Sequence, residues 1–72
     1  YRVRLIHRNV PGVMARVNSI FASSEANVDA QILATMDEVG YVLTDISAGL
    51  GREALEELSH LPETVRLIAT PL

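Results

Sequence analysis

Apolar residues recur with two different periods along this 72-residue chain. Between residues 27 and 36 every second position is apolar, which is the period of a β-strand. That row consists of Val28, Ala30, Ile32, Ala34 and Met36, and Leu33 is the one apolar residue on its polar side. Between residues 13 and 23 the apolar positions recur every three or four residues, as along one face of an α-helix. The pattern therefore predicts a protein that mixes strands with helices.

Three more strands and one more helix are predicted from the remaining segments. Segments rich in β-branched and other apolar residues predict strands at residues 1–7, 41–47 and 64–70. Residues 52–60 predict the second helix, because Ala54, Leu55 and Leu58 fall on one side of it.

Glycine and proline mark the connections. Pro11 and Gly12 turn the chain into the first helix, and Pro62 stops the second. We expect residues 37–40 to form a hairpin connection in which Gly40 supplies the unusual φ. Gly49 and Gly51 mark a loop.

The resulting order, βαββαβ, predicts the ferredoxin-like α+β fold: a four-stranded antiparallel sheet with two helices on one face. The second strand normally lies at an edge of that sheet. Residues 1–72 make one domain whose core is marginal at this size. Because the chain begins at Tyr1 rather than at Met, we interpret it as a piece of a larger protein.

Composition narrows the class of protein. With 49% hydrophobic and 21% charged residues the chain is globular, and no apolar run reaches the roughly 20 residues that cross a membrane. A net charge of -3 argues against nucleic acid as a partner. The absence of cysteine excludes thiolate metal sites and a thiol nucleophile and fits a reducing compartment, so we expect a cytoplasmic protein without a metal.

The candidate chemistry lies in the turn after the first strand, His7-Arg8-Asn9-Val10-Pro11-Gly12-Val13. This turn collects neutral polar side chains beside a helix N-terminus, where free N–H groups around Gly12 and Val13 favour an anion such as a carboxylate. The turn therefore predicts a site for something small and polar. We assign no catalytic residues, because Asp29 and Asp45 have no sequence-level reason to contact His7.

Simpler interpretations exist for the same residues. His7 can be a strand-end residue bonded to a neighbouring backbone group, Asn9 a turn former, and Asn27 a residue that tolerates a tight turn after a helix. A small acyl-phosphate hydrolase would need a glycine-rich anion cradle with an arginine, for which Arg8 is the only candidate. An RNA-binding module would need more exposed aromatic residues than this chain has.

The turn, joined with Ala26-Asn27-Val28 and Gly40-Tyr41-Val42-Leu43-Thr44-Asp45-Ile46, resembles the C-terminal ACT domain of bacterial D-3-phosphoglycerate dehydrogenases over nearly the whole chain. The pairing of His-x-Asn before Pro-Gly with Ala-Asn and Gly-Tyr-Val is the more specific part of this resemblance. It implies a regulatory domain of the serine-sensing branch, without catalytic activity of its own.

The resemblance also implies a ligand and an assembly. L-serine would bind where two ACT domains lie side by side, with His7 and Asn9 from one copy and Asn27 from the other, beside the helix start at Gly12 and Val13. The two copies would pair through the second strand as a homodimer. The attached dehydrogenase would use a nicotinamide cofactor outside this chain, and serine would feedback-inhibit it. A domain that senses another small amino acid is the alternative, followed by the acylphosphatase-like hydrolase.

Overall fold

A computed structural model describes residues 1–47 and 50–72 and contains the six predicted elements in the predicted order. The strands are β1 (Arg2–Arg8), β2 (Val28–Met36), β3 (Val39–Ile46) and β4 (Thr64–Thr70), and the helices are α1 (Val13–Ser23) and α2 (Arg52–Ser59). The predicted bounds of the first helix and the last strand are confirmed, and the other bounds differ by one or two residues. Of the two loop glycines, Gly49 lies outside the described residues.

The hairpin between β2 and β3 differs from the prediction. Its loop is Asp37-Glu38, and the positive φ of 52° belongs to Asp37. Gly40 does not supply an unusual φ, because it lies inside β3 and is buried there. An aspartate tolerates the left-handed conformation better than most residues, since its short polar side chain bonds locally. The prediction was wrong about which residue makes the turn, and Gly40 is a glycine for another reason.

The four strands form one antiparallel sheet in the order β2-β3-β1-β4. β1 and β3 occupy the centre, and their register pairs His7 with Gly40. β2 and β4 are the two edges, so the predicted edge position of the second strand is confirmed.

Both helices cover the same face of the sheet, because residues from both join one buried cluster with the central strands. Val3 and Leu5 of β1 and Val42 and Ile46 of β3 supply the sheet side of this core. The helix side is supplied by Val13, Val17, Ile20 and Phe21 of α1 and Ala54 and Leu58 of α2. Within the described residues, no helix is long and apolar enough to span a membrane.

The apolar row of β2 faces away from the helices at four of its five positions, Ala30, Ile32, Ala34 and Met36. A bulge at Asp29 puts Val28 opposite Ile46 on the helix side and Ala30 opposite Asp45 on the open side. On the helix side, Gln31 donates to Thr44 Oγ1 at 3.0 Å. The strand therefore presents apolar side chains on a face that no helix covers, and eight of its nine residues are exposed.

Candidate functional site

The turn that follows β1 is built around Gly12. Gly12 has a φ of 87°, a left-handed conformation that a side chain would strain, and it caps the start of α1. No described side chain caps this helix start, which leaves the first-turn N–H groups to other acceptors. Val13 turns inward and anchors the helix in the core. The helix therefore starts at the predicted turn, and the binding of an anion at Gly12 and Val13 stays a prediction.

His7 lies at the end of β1 with only 2% of its surface exposed. Its Nδ1 is 2.8 Å from the carbonyl oxygen of Arg8. A carbonyl oxygen can only accept, so Nδ1 carries the proton and donates. Nε2 is buried without a hydrogen-bond partner among the described residues. In this tautomer Nε2 accepts from a ligand hydroxyl or ammonium, and it donates to a carboxylate only when the ring carries a second proton.

Asn9 ties the turn to the hairpin at one end of β2. Its side-chain amide donates to the carbonyl oxygen of Asp37 at 3.0 Å, and its backbone N–H donates to that of Glu38 at 2.8 Å. Asn9 itself is exposed. Its remaining amide oxygen is thus held at the surface, close to the end of the edge strand.

Asn27 lies at the opposite end of β2. Its amide donates to Asp29 Oδ1 at 2.9 Å and to Ser47 Oγ at 3.1 Å. The nine residues of β2 separate Asn27 from the hairpin by roughly 30 Å. The chain therefore brings His7, Asn9, Gly12 and Val13 together at one end and leaves Asn27 at the other.

An ion pair that the sequence did not indicate braces the same turn. Arg16 of α1 contacts Glu63 at 2.7 Å, and the hydrogen bond from Arg16 holds the pKa of Glu63 below its ordinary value. The backbone N–H of Arg8 also donates to the carbonyl oxygen of Glu63 at 2.8 Å. Nothing in the sequence marks this pair, because 47 positions separate its members and only the fold joins them.

Grooves of about 310 to 440 Å³ lie on the described surface, and the residues that line four of them do not include His7, Asn9 or Asn27. One groove lies between α2 and β4, and another lies on the open face of the sheet beside the hairpin. Among the described residues there is also no cluster of three or more side chains able to hold a metal ion.

Comparison with known proteins places this geometry in a family. A family model described as the AHAS small subunit-like ACT domain matches residues 3–66. The D-3-phosphoglycerate dehydrogenase of Escherichia coli (strain K12) is 40% identical over 67 residues, which cover 90% of this chain and 16% of that protein. The enzyme of the same name from Dictyostelium discoideum is 36% identical over 66 residues, 92% of this chain and 16% of its own length.

A solved structure has the same fold. The ACT domain from GTP pyrophosphokinase of Chlorobium tepidum superposes with a TM-score of 0.75 over 93% of this chain and 91% of that one, at 10% identity. The chain spans 16% of the length of the two dehydrogenases, so the likeness concerns one region of those enzymes. The family match also decides between the regulatory and the hydrolase interpretations of the turn. The chain belongs to the ACT domain family and is a regulatory, amino-acid-binding domain rather than a catalytic one.

Proposed function

We propose that this ACT domain is the serine-sensing part of a phosphoglycerate dehydrogenase and binds L-serine between two copies paired through β2. The observation that carries the proposal is that the candidate ligand-binding residues are divided between the two ends of β2. His7 and Asn9 lie at one end and Asn27 at the other. A single chain cannot bring them to one small ligand, whereas a second copy can.

Antiparallel pairing of two β2 edges brings the two halves together. A two-fold axis at Ile32, the middle residue of β2, puts Ala30 of one copy opposite Ala34 of the other, and both of these side chains face the open side of the sheet. Because the bulge at Asp29 adds one residue at this end of the strand, Val28 falls opposite Thr35 and Asn27 opposite Met36. Met36 is next to Asp37, the residue to which Asn9 is bonded. The dimer then has two equivalent sites, each drawing on both copies.

The edge of β2 is suited to this pairing. Tyr1 and Ile46 exchange both backbone hydrogen bonds, so alternate residues of β3 bond to β1 and the others bond to β2. It follows that Gln31, Leu33 and Thr35 direct their backbone groups toward the open edge. The strand carries one charge, Asp29, and no proline, so little protects the edge from pairing.

The chemistry of the residues suits serine. Its carboxylate can accept from the uncapped start of α1 near Gly12 and Val13. The asparagine amides both donate and accept without adding a charge, which suits a zwitterion. The partnerless Nε2 of His7 suits the ligand hydroxyl, because a donor placed there removes the cost of a buried unpaired nitrogen.

Binding of this kind would move the turn. Since Nε2 is shielded in the single chain, a ligand reaches it only when the segment beside it yields. The turn from Asn9 to Gly12 is exposed. The hydrogen bond from the Val13 N–H to the carbonyl oxygen of Val10, which closes this turn, is long at 3.5 Å. Serine would thus draw the turn of one copy toward the strand of the other. We infer that in the whole enzyme this closure rotates the attached domains. The catalytic residues and the nicotinamide cofactor would belong to those domains and lie outside this chain.

Calorimetric titration of the protein with each of the twenty amino acids tests the proposal. We expect heat of binding with L-serine at one molecule per chain, and weaker or no binding with L-alanine, which lacks the hydroxyl. Acetyl phosphate turnover serves as the control for the hydrolase alternative, and none is expected. Tighter binding of a different amino acid would overturn the assignment to serine.

A domain that senses another small amino acid is the second candidate. The observation in its favour is that the matching family model is named for the AHAS small subunit rather than for a dehydrogenase. The same titration distinguishes the two, because a sensor of an apolar amino acid would prefer ligands without the hydroxyl.

A further inference from the structure

Gly40 lies directly under the imidazole of His7. The two residues are opposite each other in the register of β1 and β3, and both are buried. A Cβ on residue 40 would lie 2.6 Å from Nε2 and 2.9 Å from Nδ1 of His7, and closer still to Cε1. Real Cβ atoms essentially never approach other atoms so closely. The ring thus lies over the backbone of Gly40 in space that any other residue would fill.

The conformation of Gly40 does not explain why it is a glycine. Its φ is outside the left-handed region, unlike that of Gly12, so an L-residue could adopt the same backbone. The turn of the hairpin also does not use it, because the positive φ there belongs to Asp37. Space explains the glycine, because the imidazole ring of His7 occupies the position that a side chain on residue 40 would fill.

Two contacts therefore fix the ring. The backbone of Gly40 supports its flat side, and the carbonyl oxygen of Arg8 accepts from Nδ1 at 2.8 Å. Together they set the direction of Nε2 and the tautomer in which Nε2 accepts. Side chains that bind ligands need such support, since small displacements weaken short hydrogen bonds steeply.

We propose that Gly40 is a positioning residue of the amino-acid site: it seats His7 so that Nε2 is held toward the ligand, and it thereby sets the affinity for the ligand hydroxyl. This inference rests on the proposed function for its ligand. Its structural half, that the ring and a side chain at residue 40 compete for one space, does not need a ligand.

The test is a double-mutant cycle with Gly40→Ala, His7→Ala and the double variant. In the protein with His7, we expect Gly40→Ala to lower the melting temperature and to shift the ring resonances of His7 in the nuclear magnetic resonance spectrum. We also expect it to weaken L-serine binding at least tenfold. In the His7→Ala background the same methyl group has the space that the ring leaves, so Gly40→Ala should change the melting temperature little.

Gly51→Ala is the matched control. It adds the same methyl group at a glycine with a φ of -68° and with no described atom within 4 Å of the new Cβ. We expect native His7 resonances and native serine affinity, and a melting temperature lowered only by the loss of glycine at the N-cap of α2. If Gly40→Ala unfolds the protein, a double variant that folds still supports the competition for space, and a double variant that is also unfolded overturns it.

Two results separate this inference from the proposed function. A native protein that binds no serine rejects the proposed ligand, while the cycle and the resonances still decide whether Gly40 seats His7. A Gly40→Ala protein with unchanged His7 resonances and unchanged serine affinity overturns the positioning role, even if the native protein binds serine.

Discussion

At the scale of single residues, the candidate ligand-binding side chains are held by backbone groups and neighbouring side chains rather than by one another. His7 donates to the carbonyl oxygen of Arg8, Asn9 to that of Asp37, and Asn27 to Asp29 and Ser47. Each side chain is thus oriented before a ligand arrives, which reduces the entropy that binding must overcome. The two asparagines are exposed, so changing them should affect the ligand more than the fold.

Asn27→Ala tests that separation. It removes an exposed amide whose two internal hydrogen bonds water can replace, so the melting temperature should change little. Loss of a hydrogen bond to a charged ligand group should cost about 1.5 to 3 kcal/mol, which weakens serine binding roughly tenfold to a hundredfold. Calorimetry measures both the melting temperature and the serine affinity. The control is Asn18→Ala, which changes another exposed asparagine. Native serine affinity in a folded Asn27→Ala protein would remove Asn27 from the site.

A second prediction at this scale concerns acid. Arg2 donates to both carboxylate oxygens of Asp45, at 2.8 and 3.0 Å, and this bonding lowers the pKa of Asp45. The pKa of the folded state then lies below the unfolded value of about 3.9. The pair therefore stabilises the fold fully above that value, and its contribution is lost as the pH falls through the folded pKa.

Asp45→Asn should accordingly lower the melting temperature at pH 7 and flatten its decline between about pH 5 and pH 2. Thermal unfolding followed by circular dichroism at successive pH values measures the two slopes. Glu53→Gln, on the exposed surface of α2, should leave the native slope unchanged. Parallel curves for native protein and Asp45→Asn would mean that the pair does not contribute to acid sensitivity.

At the scale of elements, β2 is the part of the chain that the fold leaves least covered. Its apolar row lies on the open face, and Leu33 on the helix side is 48% exposed. A strand that is apolar, nearly uncharged and exposed on both faces is normally paired or covered. Pairing with a second β2 would extend the sheet to eight strands and place the helices of the second copy beside Leu33.

Gln31→Pro tests the pairing. The N–H of Gln31 points to the open edge, so proline there should prevent dimer formation while the β2–β3 ladder survives. Ala30→Pro is the contrast, because Ala30 bonds inward to β3 and its loss should destabilise the domain itself. Gln31→Ala removes the side-chain bonds to Asn18 and Thr44 but keeps the N–H, and it should remain a dimer. Sedimentation equilibrium measures all four proteins, and a folded Gln31→Pro dimer would place the interface elsewhere.

At the scale of the whole molecule, a ligand shared by two copies must also join them. If one serine contacts His7 and Asn9 of one copy and Asn27 of the other, it binds the dimer better than the monomer. Linkage then requires serine to strengthen dimer formation by the same factor. A coupling of 1 to 3 kcal/mol is typical, which corresponds to roughly 5-fold to 150-fold.

At saturating serine both sites of the dimer are filled, so the dimer dissociation constant should fall by roughly the square of that factor. Sedimentation velocity at several concentrations measures this change. In His7→Ala the shift should shrink, because each shared serine has lost its contact with the copy that supplies residue 7. If the protein binds serine but its dimer dissociation constant does not change with serine, the site lies within one chain.

The sequence by itself determined the six elements, their order and the polar turn at the start of α1. Period-two and period-3.6 patterns, proline and glycine act within a few residues, so their consequences do not depend on the rest of the chain. The choice of Asn9 and Asn27 as binding residues rests on the resemblance to the ACT family, and it stays a prediction.

Only the tertiary structure decided which face of β2 is covered, where Asn27 lies relative to His7, and why residue 40 is a glycine. The bulge at Asp29 and the register between β1 and β3 set these relations. Register depends on how distant strands pack, and a shift of one residue moves every side chain to the other face. The ion pair of Arg16 with Glu63 has the same origin, because a helix and a distant strand end meet only after the sheet has formed.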